Sequence, residues 1–399
     1  MSAIIASPAP DPSRRWVDRK YFLWLLSAAV PVIVCLSLAT FTWLSRRWGI
    51  HGWTELALWL LPFLIYVVVP MGDMVFGDDR SNPPEEAMAA LEASFYYRAL
   101  LFAYTPVQYV VTIWCAWIVT SQALDVFGYA GAVLAAGGVN GLGINTAHEL
   151  GHKAEAIDRW VSRLTLAPSA YGHFYVEHNR GHHLHVATPE DPASARMGES
   201  LWEFLPRTVW GSLVSAWRLE RRRLNNHGCR AWSVRNQILQ SWSMTILLFG
   251  SVTTAFGWPA LLFLIVQALY AISLLETVNY LEHYGLARRR LPNGRYEPCR
   301  PVHSWNSSHV VSNLLLYHLQ RHSDHHAHPR RRYQTLRHFD ESPQLPAGYA
   351  TMIVLAYVPP LWRRVMDRRV AAHYGGDLDR AAIKPGRRSV VEAGLDRGA

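Results

Sequence analysis

Between residues 21 and 43 the chain runs for 23 residues without an Asp, Glu, Lys or Arg. At about 1.5 Å per helical residue, that is enough to cross a hydrocarbon layer of about 30 Å. A segment in lipid has no water to satisfy its backbone, so it can only be a helix or part of a closed barrel. Further apolar stretches cover 56–70, 99–121, 128–147, 237–256 and 258–281, and the second is the weakest because Glu55 and Asp73 bracket a short run. The expectation is an all-α integral membrane protein, a bundle of six transmembrane helices.

Only 17% of the residues are charged, against about a quarter in soluble domains. Mean hydropathy nevertheless stays near zero, so apolar and basic segments must cancel along the chain. Of the 39 Lys and Arg, four precede the first stretch, twelve fall at 153–235 and nineteen after Tyr284. None lies at 121–128 or 256–258. Positive charge marks the cytoplasmic side, which places both termini inside and makes the short connections outer hairpins. A multi-pass protein of a bacterial-type inner (cytoplasmic) membrane is expected. The same placement favours membrane lipids, not nucleic acid, as partners of the net +9 charge.

The first residues lack a signal peptide's short core and cleavage site. Residues 1–18 read as a disordered basic tail, 19–377 as the membrane domain with a cytoplasmic cap, and 378–399 as a tail or linker. The apolar segment 345–362 is broken by Pro359 and Pro360, and reads as an interfacial or core-packing helix, not a seventh span. In the fourth span Gly137 and Gly141 stand at the spacing that lets helices approach closely.

Histidine carries the chemistry. Fifteen of 19 fall at 148–185 and 283–328. His148-Glu149-Leu150-Gly151-His152 places two imidazoles on one helix face, a pattern shared with zinc proteases. In Glu177-His178-Asn179-Arg180-Gly181-His182-His183, an α-helix puts His178 and His182 on one face and turns His183 about 100° away, toward a second metal. His322, His325 and His326 form a third cluster, and His283 ends the sixth span beside Glu282. Nine imidazoles exceed the needs of one tetrahedral zinc. They fit two metals with exchangeable positions, and imidazole alone does not choose among iron, zinc, copper and nickel. Glu149, Glu177, Glu282 and Asp324 are expected to accept the other ring N–H of a ligand. Glu276 and Asn279 lie on the helix face of His283 and are expected to support it. His173, His185, His303, His309, His318 and His328 read as ordinary polar residues, with His318 the most tempting exception.

Taken together, His148-Glu-Leu-Gly-His152-Lys153, Glu177-His178-Asn-Arg-Gly-His182-His183, Leu319-Gln-Arg-His322-Ser-Asp-His325-His326 and Asn279-Tyr-Leu-Glu-His283-Tyr-Gly285 resemble the membrane-bound alkane 1-monooxygenases. The wider superfamily includes membrane fatty-acid desaturases and xylene-type hydroxylases. The resemblance implies a diiron enzyme, with His148, His152, His178, His182, His183, His283, His322, His325 and His326 holding two iron ions. It would use O2 to hydroxylate the terminal methyl of medium and long n-alkanes, with electrons from NAD(P)H through rubredoxin reductase and rubredoxin. The four cysteines form no CxxC pair, and none follows Asp377. The resemblance therefore places rubredoxin on a separate chain or in a removed fusion. An apolar tunnel is expected between the spans, with Trp59, Phe63 and Tyr66 on one helical face of the second span as its wall. Arg288, Arg289, Arg290, Arg330, Arg331 and Arg332 are expected to dock the acidic donor or lipid head groups.

Overall fold

A computed structural model describes residues 16–396; the stretch 1–15 of the expected N-terminal tail and residues 397–399 lie outside the described residues. Regular structure among the described residues is helical, with isolated β-bridges joining loops. The six spans are Leu25–Trp48 (α1), Gly52–Phe76 (α2), Phe95–Ser121 (α3), Val126–Gly151 (α4), Gln237–Phe256 and Trp258–His283. Between α4 and the fifth span lies the long helix Leu201–Asn226 (α5), so the last two spans are α6 and α7. Each of the six extends beyond its charge-free run at one end or both, except α6, whose bounds coincide with it. The first instead begins at Leu25, four residues late, because 19–24 form turns.

The even number of spans returns the chain to one end of the bundle. That end carries residues 16–24 and the connections 77–94, 152–236 and 284–396. At the opposite end the turns are minimal. A single residue, Gly257, joins α6 to α7 at φ +85°, and its N–H caps Thr253 C=O at 2.8 Å. This left-handed backbone suits a residue without Cβ.

α2 is irregular for an identifiable reason. After an α-helical first turn, Leu56–Trp59 is a 3-10 segment, and Leu64–Val68 is a π turn. Pro70 lacks the N–H that would bond one turn back, and its ring would crowd that carbonyl. A π turn just before it absorbs the mismatch. α4 is the central helix, and its glycines explain why. A Cβ on Gly137 would sit 2.7 Å from the Gln267 backbone oxygen of α7, and one on Gly143 2.5 Å from Gln108 Nε2 of α3. Gln108, Asn140 and Gln267 join in a buried amide chain across α3, α4 and α7, with bonds of 2.8 and 2.6 Å. Polar side chains in a lipid-embedded bundle are kept by such reciprocal pairing.

The cap has its own core. The segment 345–362 resolves into Tyr349–Ala356 and Pro359–His373, broken where Pro359 and Pro360 begin the second helix. It packs inside the cap: Trp362 is fully buried against Tyr280 and Tyr284, with ring centroids at 5.0 and 5.3 Å.

Two segments near the chain's ends are tied to the rest of the protein. Asp18 accepts from Trp24 Nε1 and Tyr97 Oη at 3.0 and 2.8 Å, which anchors the end of the N-terminal segment. Residues 378–396, expected as a tail or linker, continue the cap. Met197 exchanges backbone bonds with the 382–384 strap, its N–H reaching Ala382 C=O at 2.7 Å and its C=O accepting from Lys384 N–H at 3.0 Å, and Ala382 N–H reaches Gly285 C=O at 3.0 Å. The helix Arg388–Asp396 then buries Val391 against Gly198. Paired backbone and a buried apolar residue, neither marked by composition, hold this segment.

The packing of α4 on α7 gives a stability test. Gly137→Ala should destabilise the detergent-solubilised protein by about 1–3 kcal/mol, because backbone must move to admit the methyl. Gly250→Ala, on the exposed face of α6 with open space around it, should be neutral or stabilising by about 0.5–1 kcal/mol. Thermal unfolding of the two variants side by side checks the contrast.

Candidate metal centre

Four segments deliver the nine histidines to the end of the bundle where the chain returns. α4 ends in His148 and His152, α7 ends at His283, and the short helix His322–Ala327 carries three. The fourth segment, 174–185, is a helix interrupted by a π turn at His178–His182. Here His183 N–H bonds to His178 C=O, an i to i+5 closure. The wider turn overturns the α-helical reading of this motif. His178 and His183 stand together, and His182 is the one turned to the other group.

The nitrogens that could hold a metal thus fall into two sets, each within 4.8 Å: His148, His152, His178, His183 and His325; and His182, His283, His322 and His326. In the first, Nε2 of His148 and of His183 lie 2.9 and 3.1 Å from His325 Nε2, and His183 Nε2 is 3.1 Å from His178 Nε2. In the second, His322 Nε2 lies 3.3 Å from His283 Nε2 and 2.8 Å from His326 Nε2. Such spacing fits a shared cation: ligands at right angles on bonds of about 2.1 Å have nitrogens about 3.0 Å apart. Nε2 of His152 and of His182 are buried without a protein partner, as donors awaiting an ion would be. The donor set fits a metal in each group.

Electrostatics agree. Burial pushes the His178, His183, His322, His325 and His326 imidazoles well below their ordinary range, leaving the neutral form that ligates. His182 moves the other way: burial opposes its charged form, but the Asp191 charge and hydrogen bond prevail.

The expected carboxylates behave unequally. Glu282 Oε1 lies 3.2 Å from His322 Nδ1 and accepts from Tyr349 Oη at 2.9 Å. Glu149 instead pairs with Lys153 at 2.7 Å, and Asp324 with Arg331 and His328 at 2.7 and 2.8 Å. Glu177 reaches no imidazole; both its oxygens are buried without a partner beside Gly181, and burial pushes its carboxyl up to about 7. Glu276 accepts from Tyr171, Thr208 and Asn279 and so braces α7 against the cap. Sequence spacing missed Asp191, whose Oδ2 lies 2.9 Å from His182 Nδ1. It sits in a loop nine residues beyond its partner, where no helical period applies. His318 is buried near Lys20 Nζ, at 3.4 Å, outside both groups.

Of the three expected tunnel residues, Trp59 turns inward, stacked on Phe127 at 4.7 Å and against Gly131. Tyr66 Oη meets Tyr270 Oη at 2.6 Å. Phe63 is 55% exposed on the bundle perimeter, because the 3-10 and π turns of α2 break the single α-helical face. The six arginines also separate. Arg288 caps the carbonyls of Leu184 and Glu297, Arg331 is taken by Asp324, and Arg332 by Glu155. Arg289, Arg290 and Arg330 are exposed.

The sequence pattern of the family described as "Fatty acid desaturase" matches residues 124–356, which span both histidine windows. The chain is 43% identical to the alkane 1-monooxygenase of Acinetobacter baylyi over 96% of its length and 92% of that protein. It is 46% identical to alkane 1-monooxygenase 1 of Alcanivorax borkumensis, over 94% and 91% respectively. The xylene/toluene monooxygenase hydroxylase component of Pseudomonas putida is more distant, at 27% over 66% of this chain. With identities of 43–46% running over nearly the whole chain, it belongs to the alkane 1-monooxygenase family within the fatty acid desaturase family.

Proposed function

We propose that this protein is a diiron monooxygenase that converts medium and long n-alkanes to 1-alkanols: one O2, two electrons and two protons yield the alcohol and one water. The observation that carries the reading is the pair of converging imidazole sets at one end of a membrane-spanning bundle. An unactivated alkane offers no charge or hydrogen bond, so acid–base groups have nothing to hold. Two irons, one in each histidine group, would supply the O2 activation and redox chemistry that such a C–H bond demands, which zinc cannot.

The chain's own residues bind, orient and exclude water. The alkane dissolves in the bilayer and reaches the histidines between the spans. From Gly131, beside Trp59, to His148 the rise along α4 is about 25 Å. A chain lying along α4 would present its terminal methyl to the histidines, with Trp59 closing the far end. The basic excess supports a cytoplasmic orientation of the histidine end in a bacterial-type inner membrane. There a rubredoxin, reduced by its NAD(P)H-dependent reductase, would deliver electrons at the exposed Arg289, Arg290 and Arg330.

Three outcomes follow. His322→Ala should lose iron from the four-histidine group and abolish turnover; two irons per chain by elemental analysis, with full octane hydroxylation, would remove it from the ligand set. Trp59→Ser should shift the product profile toward longer alkanes, read by gas chromatography over a chain-length series; an unchanged profile in folded protein counts against it as the end wall. Replacing Arg289, Arg290 and Arg330 with Gln should raise KM for rubredoxin several-fold and flatten its salt dependence, with kcat retained.

A further inference from the structure

The two histidine groups differ in what stands behind them. In the four-histidine group, His182 Nδ1 is 2.9 Å from Asp191 Oδ2 and His322 Nδ1 is 3.2 Å from Glu282 Oε1, both carboxylates being buried. Each carboxylate is itself fixed. Ser194 Oγ donates to Asp191 Oδ2 at 2.6 Å and Ala193 N–H to Oδ1 at 3.0 Å, while Tyr349 Oη holds Glu282. Among the described residues, no carboxylate oxygen comes within 4.0 Å of an imidazole nitrogen of His148, His152, His178, His183 or His325. Of the acids adjacent in sequence to that group, Glu149 and Asp324 are occupied by Lys153 and Arg331, and Glu177 lies beside Gly181 without reaching an imidazole. Burial differs too: all four members of the smaller group are buried, whereas His152 and His183 of the larger are half-buried.

A dication on neutral imidazoles brings two positive charges into a region of low dielectric, which is costly without opposite charge nearby. Asp191, hydrogen-bonded to His182 Nδ1, and Glu282, 3.2 Å from His322 Nδ1, stand where they would supply that charge and make their imidazoles better donors. The five-histidine group has a fifth imidazole in their place, and two of its rings are only partly buried. We propose that the two metal positions are unequal: the four-histidine group is the tight, slowly exchanging one, with Asp191 and Glu282 as its positioning residues, and the five-histidine group exchanges readily. This inference rests on the diiron reading, and its test separates the two.

The full-length protein, purified in detergent and loaded anaerobically with 57Fe(II), is mixed with an excess of a ferrous chelator. One iron should leave in a fast phase and the other at least about tenfold more slowly, and Mössbauer spectra taken between the phases should keep one of two doublets. Asp191→Asn retains an oxygen to accept from His182 but removes the charge; it should accelerate the slow phase about 10- to 100-fold and leave the fast phase unchanged. Glu282→Gln tests the same point through His322 should the first variant fail to fold. Loss of both irons at a single rate, or a slow phase untouched by either variant, overturns the inequality. A protein that takes up no iron at all overturns the diiron reading instead.

Discussion

Nine imidazoles crowded at one end of a helical bundle would repel one another through their converging nitrogens. Nitrogens 2.8–3.3 Å apart are held against that tendency by everything around them. α4 is clamped between α3 and α7 by glycine contacts and the Gln108–Asn140–Gln267 chain. Asn145 Nδ2 bonds Leu316 C=O at 2.8 Å, tying α4 to the segment that leads into the third cluster. Tyr317 and His318 both take left-handed backbone, at φ 52° and 55°. Non-glycine residues in that region cost on the order of 1–3 kcal/mol each, a strain the buried surroundings of His318 and Arg321 sustain.

The cap repeats the pattern around His283. Tyr284 Oη donates to Asp367 Oδ1 at 2.7 Å and accepts from Gly198 N–H at 2.8 Å, while Trp305 Nε1 bonds Tyr284 C=O at 2.9 Å. Gly285 follows at φ +73°, where a Cβ would meet Val370 at 2.8 Å. The His-Tyr-Gly run therefore presents an imidazole to the four-histidine group, locks it to the cap, and turns the chain where only glycine fits. The strap at 382–384 closes over this turn.

Much of this was readable from residues. Charge-free runs set the number of spans because lipid forces helices on them, and the Gly137/Gly141 spacing marked α4 as a helix that a neighbour approaches closely, the neighbour being α7. The histidines of α4 followed an unbroken helix, so their i, i+4 pairing held. Periodicity failed wherever the helix was not α. The π turn reassigned His182 and His183, and the irregular turns of α2 put Phe63 on the perimeter. Asp191 was invisible because a loop residue reaches its partner through tertiary folding alone. The segment 378–396 carried no apolar run to announce that it docks on the cap.

The division of the histidines has one more mechanical consequence. His182 and His183 are neighbours in the chain yet serve different groups, and so do His325 and His326. Two peptide bonds, each spanning 3.8 Å between Cα atoms, thus rivet the groups together from opposite sides. A backbone hinge that parted the two sets would have to turn within these two dipeptides, so rotation of the imidazoles is the easier way to change the distance between their centres.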